Sequence, residues 1–510
     1  MTGGQGHAVT SRGTLLVLGL AVALRVAVFP FQDNKHGDAP MRALIAERMV
    51  LEPASAAVPR TYCQFGPLHM TLMRPFIALD PLAPRSSRYL SLLAGIAVLF
   101  PFLAFARRLV GPPAAELATF ALAVSPLHLQ ASTTAASEAL YLLLWVAAIE
   151  RLLAALETRR PGTFALAGGL ASLAALTRYD AWLALPIMVL VAWIFARRKD
   201  DGRPLVPGLA LFSVCAAALP AAWLIFGARA GGDPFYFAHY ISSDHAGLAA
   251  GVAGRFGPIG GRVRQLGIWA LAFVAAMTLP AAVAAALALA RGRRSDALRA
   301  PAMRIVVAAA LGPPALYLAR GLLLQSFEPL ARFALVPGTL LLPLAAGAVP
   351  PAGARSFRAA TAITAVAFSI IIWLVSTVGR DRIWAGAESM GALTRLDRED
   401  RDVARYLRDR RGPHDPVMIE PFSFAEIGIA HAAGVPWTES VTLIVTREPR
   451  ATLAESMLAT GARFVVGYDR DSGWPRRLPD WPREGSAPSR LGAVPRVSET
   501  SIGHWRVVAR

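Results

Sequence analysis

Residues 13–50 read GTLLVLGLAVALRVAVFPFQDNKHGDAPMRALIAERMV. The first part is an apolar run through Phe31, broken only by Arg25 and long enough to cross a hydrocarbon layer of about 30 Å. A polar turn follows, Gln32-Asp33-Asn34-Lys35-His36-Gly37-Asp38. Next come apolar residues at 41, 44, 45 and 49, the spacing of one face of a helix. A span, an acidic turn and an amphipathic helix predict a membrane crossing whose chain then lies along the membrane surface.

The first of these features recurs along residues 1–380. Apolar runs lie near 13–31, 89–106, 114–127, 136–154, 163–177, 181–196, 205–227, 266–290, 305–319, 333–349 and 359–379. This predicts a polytopic α-helical membrane protein of about eleven spans, surrounded by membrane lipids. Arg25 and the lack of a small-residue cleavage site make the first run a retained anchor rather than a signal peptide. The whole chain agrees. Of its 510 residues 55% are hydrophobic and 17% charged, with mean hydropathy +0.45. Soluble domains are nearer 45–50% apolar and 25% charged, so a conventional soluble enzyme and a disordered chain are both excluded. The two cysteines, Cys63 in an outside loop and Cys215 in a span, predict neither a disulfide nor a thiolate metal site.

The net charge is +18, and only Lys35 and Lys199 among the basic residues are lysines. Arginine bias of this kind is no evidence for nucleic acid, and no nucleic-acid partner is expected. Arg107-Arg108, Arg159-Arg160, Arg197-Arg198, Arg291 with Arg293-Arg294, and Arg355 with Arg358 fall at alternate span ends. The positive-inside rule places those ends in the cytoplasm. The N-terminus is then inside, while loops 32–88 and 228–265 and the tail from 381 lie outside a plasma (inner) membrane. The tail, residues 381–510, holds 19 Arg against 18 acidic residues, so the excess charge belongs to the membrane part. Its pattern alternates helix (397–411, 423–433, 450–460) with strand (417–419, 463–467), predicting a small extracytoplasmic α/β domain.

Polar groups at span ends are costly unless they face a cavity or a partner. The predicted outer face gathers the acids Asp38, Glu138, Asp180 and Glu328, and the cations Arg25, Lys35, Arg178 and Arg332. Asp38 stands where a cap for the helix at 39–50 would sit, and equally where a general base would meet water. Arg178 with Asp180, and Glu328 with Arg332, read either as ion pairs that fix span ends or as parts of a site. Arg25 either snorkels to the surface or reaches an anion in a cavity. The loop aromatics Phe235, Tyr236, Phe237 and Tyr240 suit an interface belt, or a surface for a sugar or a prenyl chain. Acids that activate a hydroxyl, beside cations that hold a phosphate, predict chemistry on a lipid phosphate. A transporter would place charge across the midplane and show two matched halves, which this chain does not. An inactive scaffold with an envelope-binding outer domain stays open.

Taken in order, several motifs resemble the GT-C superfamily of integral membrane glycosyltransferases, in its family 39 branch. That branch holds the protein O-mannosyltransferases and the lipid A aminoarabinose transferases. The motifs are Gly37-Asp38, Phe65-Gly66-Pro67-Leu68-His69, Ser125-Pro126 with Ser137-Glu138, Thr177-Arg178-Tyr179-Asp180, and Arg332-Phe333-Ala334-Leu335-Val336-Pro337. The resemblance covers roughly residues 13–350. It implies an inverting transferase using a polyprenyl-phosphate monosaccharide, with Asp38 as catalytic base. Lys35, Arg178, Arg332 and Arg25 would serve the donor phosphate, with Glu138, Asp180, Glu328 and His69 in support. The acceptor would be a lipid, a glycan or a protein. Asp38 is followed by Ala39, where the protein O-mannosyltransferases carry Glu, which weakens the case for a protein acceptor. No cofactor is obligatory on this reading. A divalent metal on Asp38 with His36, His239 or His245 stays open.

Overall fold

The computed structural model describes residues 12–35, 38–51, 65–80, 83, 85–197, 205–292, 301–378, 390–419, 425–436, 440–442, 461–468, 498–502 and 505–509. Helix α1 (Arg12–Val28) ends in a 3-10 turn, Phe29–Phe31. Two helices follow in the first loop, α2 (Ala39–Leu51) and α3 (Pro67–Leu79). The bundle continues through α4 (Tyr89–Ala97), α5 (Leu99–Val110), α6 (Pro112–Val124), α7 (Pro126–Thr133) and α8 (Glu138–Thr158). Then come α9 (Pro161–Thr177), α10 (Asp180–Arg197), α11 (Val206–Gly231), α12 (Tyr236–Met277) and α13 (Leu279–Arg291). It closes with α14 (Pro301–Leu322), α15 (Leu335–Gly347) and α16 (Ala354–Val378).

Each of the eleven apolar runs coincides with a helix, but their lengths differ. Among the described residues six helices are long and apolar enough to cross a membrane, or seven if the bent pair Phe256–Met277 and Leu279–Arg291 counts as one. Four more, at Pro112–Val124, Pro161–Thr177, Asp180–Ile194 and Ala331–Gly347, are shorter. A helix of 13 residues reaches only about 20 Å of a layer about 30 Å thick. The run at 266–290 is not one straight span: it bends by 110° at Thr278, a β-branched residue held at φ 73°. Nor is 228–265 an open loop. It is helical from Tyr236, with a kink at Gly257 (φ 72°) ahead of Pro258.

α8 is the central helix: 72% of its apolar window is buried, against 17% for α11 and α16. Trp145, Ile149 and Leu152 on α8 pack in the main core with Phe102, Phe105 and Leu342. Small residues allow close approach elsewhere. A Cβ on Gly66 would lie 2.3 Å from the Leu176 carbonyl and 2.6 Å from that of Thr177, so only glycine lets the start of α3 rest on the end of α9.

The tail forms α17 (Arg398–Arg410), β1 (Val417–Ile419), α18 (Ala425–Ala432), β2 (Ser440–Thr442), β3 (Phe464–Tyr468), β4 (Ser498–Ile502) and β5 (Trp505–Ala509). The sheet order is β2-β1-β3-β5-β4. β1 runs parallel to β2 and β3, and β5 pairs antiparallel with β3 and β4. The helix expected at 450–460 lies outside the described residues, as do His36, Gly37 and Cys63.

One expectation is narrowed here. The apolar face of α2 is not left open to lipid: Met41, Leu44, Ile45 and Met49 join Met70 and Met73 of α3 in one core with Val403, Leu407, Val417, Ile427, Phe464 and Val507 of the tail. Its polar residues Arg42 and Glu47 are buried as well, each facing a partner. The periodicity that reads as amphipathic reports one buried face and cannot show that the other is covered too.

Candidate active site

The site begins at the start of α8. Glu138 faces Arg178, the residue between α9 and α10, and Asp180 opens α10 two positions later. Arg178 Nη1 donates to Glu138 Oε1 at 2.5 Å and to Ser137 Oγ at 3.3 Å, while its Nε donates to Asp180 Oδ2 at 2.6 Å. The other Asp180 oxygen accepts from Tyr317 Oη of α14 at 2.7 Å. Burial works against the Arg178 charge, and Asp180, Glu138 and Asp38 overcome it, holding the guanidinium protonated.

Asp38 reaches the same cluster from the first loop. Its carbonyl accepts the first α2 bond, from Arg42 N at 2.9 Å, so its backbone does stand at the helix start. Its carboxylate points to Arg332 Nη2 at 3.0 Å, and Arg42 Nη2 lies 4.0 Å from the second oxygen. Arg332 Nε in turn sits 3.8 Å from Glu138. Burial pushes the Asp38 carboxyl up, and Arg332, Arg42 and Arg178 pull it further down, leaving it below the usual carboxylate value. Burial lowers Arg42 to about 10, with Asp38 and Glu138 opposing, so it remains a cation at neutral pH. Arg42 lies over the Phe65 ring at 4.3 Å. Its Nε and Nη1 are buried without a hydrogen-bond partner, as is Nε of Arg332. Three guanidiniums and three carboxylates thus interleave, with donors to spare.

A cavity of about 410 Å³, open space at its mouth included, adjoins the cluster. Glu138, Arg178, Asp180 and Arg332 line its charged end, and Trp145 and Val336 its apolar end. Charged and apolar walls thus meet in one cavity.

The other residues singled out in the sequence lie apart. Lys35 is no part of the cluster: its ammonium sits 3.1 Å from Asp397 and 2.7 Å from Asp400 in the tail. Arg25 does not snorkel. It is fully buried, donating to the Ala21 carbonyl at 2.7 Å and to His128 Nδ1 at 2.6 Å between α1 and α7. Glu328 pairs with Arg264 of α12 rather than with Arg332. His69 is buried 3.3 Å from Ser91 Oγ, and burial, then Arg42 and Arg178, keeps it neutral. Phe237 stacks on Tyr179 at 4.1 Å, inside the protein rather than in a lipid belt. His239 meets Asp233 at 3.0 Å, and His245 stacks on Phe327 at 4.4 Å. Among the described residues no three His, Cys, Asp or Glu converge as metal ligands. The Asp38 carboxylate faces the Arg332 and Arg42 guanidiniums.

Solved structures with this arrangement of helices exist. ArnT from Cupriavidus metallidurans bound to undecaprenyl phosphate matches over 98% of both chains, with a TM-score of 0.59 at 16% identity. Its apo form matches over 97% of both, with a TM-score of 0.56 at 14% identity. The fold is shared with these ArnT structures. A further structure, the Archaeoglobus fulgidus oligosaccharyltransferase in complex with Zn and sulfate, matches over 89% of this chain and 68% of its own, with a TM-score of 0.50 at 15% identity. The dolichyl-phosphate-mannose-protein mannosyltransferase family profile matches residues 66–226. That stretch contains His69, Glu138, Arg178 and Asp180 but neither Asp38 nor Arg332. No curated protein matches the chain significantly.

Within this fold three participants escape a reading of the sequence. Arg42 carries a signal, since it stands four residues after Asp38 on a helix, where side chains meet. Tyr317 lies in an apolar run and gives none. Arg264, the partner of Glu328, sits in a segment that reads as loop.

Proposed function

We propose that this protein is an inverting glycosyltransferase that moves a monosaccharide from a polyprenyl-phosphate donor to an acceptor hydroxyl. The reaction takes place at the outer face of a plasma (inner) membrane, with the N-terminus cytoplasmic and the C-terminal domain outside. The observation that carries the proposal is the Asp38–Arg332 pair, with Arg332 also lining the cavity beside Glu138 and Arg178. The undecaprenyl phosphate bound to the similar ArnT supports a lipid phosphate as the occupant.

Asp38 takes the proton of the acceptor hydroxyl as that oxygen bonds to the sugar C1. The bond from C1 to the phosphate oxygen breaks on the opposite side, so the anomeric centre inverts. The departing phosphate monoester gains one negative charge while Asp38 loses one, so the net charge of the site stays constant through the step. Little solvent reorganisation is then required in an enclosed, charge-balanced place. At rest Asp38 is a poor base, because Arg332 and Arg42 hold its pKa down. A phosphate that draws Arg332 toward itself frees the carboxylate and raises its basicity. Arg42, with two unpartnered donors, is suited to the phosphate from the outset.

The test is turnover by purified protein in lipid, using synthetic polyprenyl-phosphate sugars and following release of the polyprenyl phosphate. Sugar-dependent release with inverted product supports the reading. Retained stereochemistry, or no release across a panel of hexoses and pentoses while the donor binds, overturns it.

A further inference from the structure

The residues ahead of Asp38 are engaged by the C-terminal domain and the chain leading into it. The Gln32 amide donates to Thr133 Oγ1 at 2.8 Å and to the Ala392 carbonyl at 2.6 Å, and its oxygen accepts from Thr394 N at 2.7 Å. Asp33 N donates to the Thr394 carbonyl, and Asp33 Oδ2 accepts from Leu396 N, both at 2.8 Å. Asn34 joins Ser87 Oγ at 3.0 Å and Ala135 N at 2.8 Å. Lys35 then enters the capping box of α17, whose two carboxylates, Asp397 and Asp400, also bond each other's backbone N–H. Past Asp38, Glu47 of α2 lies 3.1 Å from His431 of α18.

We propose that the C-terminal domain positions the catalytic base. Lys35, held in the α17 capping box, and Glu47, held on α18, fix the segment between them so that Asp38 meets Arg332. The proposal rests on Asp38 being the base. Lys35 is a positioning residue here and not a phosphate ligand. Its side chain is 5% exposed between two carboxylates, and a buried ammonium stays charged only with such partners. Asp38 is only three positions further on, at most about 11 Å of chain, so a shift of the α17 N-terminus is felt at the carboxylate. A misplacement of about 1 Å at a reacting group can cost on the order of 10²-fold in rate.

Lys35→Met, Asp400→Asn and the double variant, made in the full chain in lipid, test this. The expected result is a fall in kcat of about 10- to 100-fold with the donor KM nearly unchanged. The double variant should be no worse than Lys35→Met, because both break one link. Lys35→Arg should recover much of the rate. Hydrogen exchange in residues 38–51 should speed up in Lys35→Met while the peptides of α8 stay unchanged. Should Lys35→Met fail to fold, Asp397→Asn gives the same readouts from a partner that is 23% exposed. Full kcat with unaltered exchange overturns the proposal. A raised donor KM at unchanged kcat also overturns it, since that places Lys35 on the phosphate. If the wild type transfers no sugar, the glycosyltransferase reading fails, and exchange alone then decides whether the domain holds the segment.

Discussion

The two ends of α8 both carry charge and are built differently. At its start Glu138 shares Arg178 and Arg332 with Asp180 and Asp38, all with side chains 7–20% exposed. About 18 and 28 Å further along the helix, Glu150 and Glu157 meet Arg108 of α5, and Glu150 also meets Arg151. There Glu150 is buried (3%), but its partners and neighbours are open: Arg108 is 24%, Arg151 41% and Glu157 57% exposed. Exposed pairs are each worth about 0–1 kcal/mol, whereas a buried cluster carries a desolvation cost that packing alone would avoid. On the proposed function that cost has a use: the charges are held ready for a charged guest. Charge at a helix end is therefore weak evidence for a site until enclosure accompanies it.

The sharpest way to break the comparison is Asp38→Asn. It should lower kcat by roughly 10²- to 10⁴-fold and also lower the melting temperature, since Arg332 and Arg42 lose their carboxylate; equal turnover in a sugar-release assay would remove Asp38 as base. Arg178→Met should lower kcat by roughly 10²- to 10³-fold. It should also cost about 3–5 kcal/mol of stability, because Glu138 and Asp180 are left buried without their cation. Arg42→Met separates function from stability. Its Nε and Nη1 have no partner, so the variant should melt no lower than wild type while kcat/KM for the donor falls by about 10- to 100-fold; a lower melting temperature with normal kcat/KM contradicts the assignment.

A pH profile sharpens the picture further. Asp38 is held below its ordinary pKa, with Arg332 the strongest opposing charge, so wild-type kcat/KM should hold until the pH falls below the usual carboxylate range. In Arg332→Gln the acid limb should move to higher pH. The carboxylate's contribution to stability should likewise be lost at a higher pH as acid is added. The smallest effect belongs to the far end of α8. Arg108→Gln should shift the melting temperature by a few degrees at most and leave kcat unchanged, and a loss of turnover would mean the two ends are coupled.

The bundle was legible because apolar runs act locally: the runs at 114–127 and 163–177 lie on helices that open two residues earlier, at Pro112 and Pro161. The count of crossings was less so, since a short apolar helix and a span look alike in composition. Asp38, Glu138, Arg178, Asp180 and Arg332 stood out as charges at apolar span ends. Lys35 stood out for the same reason and lies elsewhere, because the carboxylates that claim it come more than 360 positions later. Strands β2, β4 and β5 were missed because they are short and, unlike β3, each carries polar or charged residues, so they read only through their partners.

The core that α2 and α3 share with the tail has a consequence for biogenesis. Met41 leaves the ribosome among the first residues, yet Val507, in the same core, follows roughly 460 residues later, a separation that makes closure slow. Until then the apolar face of α2 lacks its cover, and a growing chain shows chaperones and proteases a sticky surface.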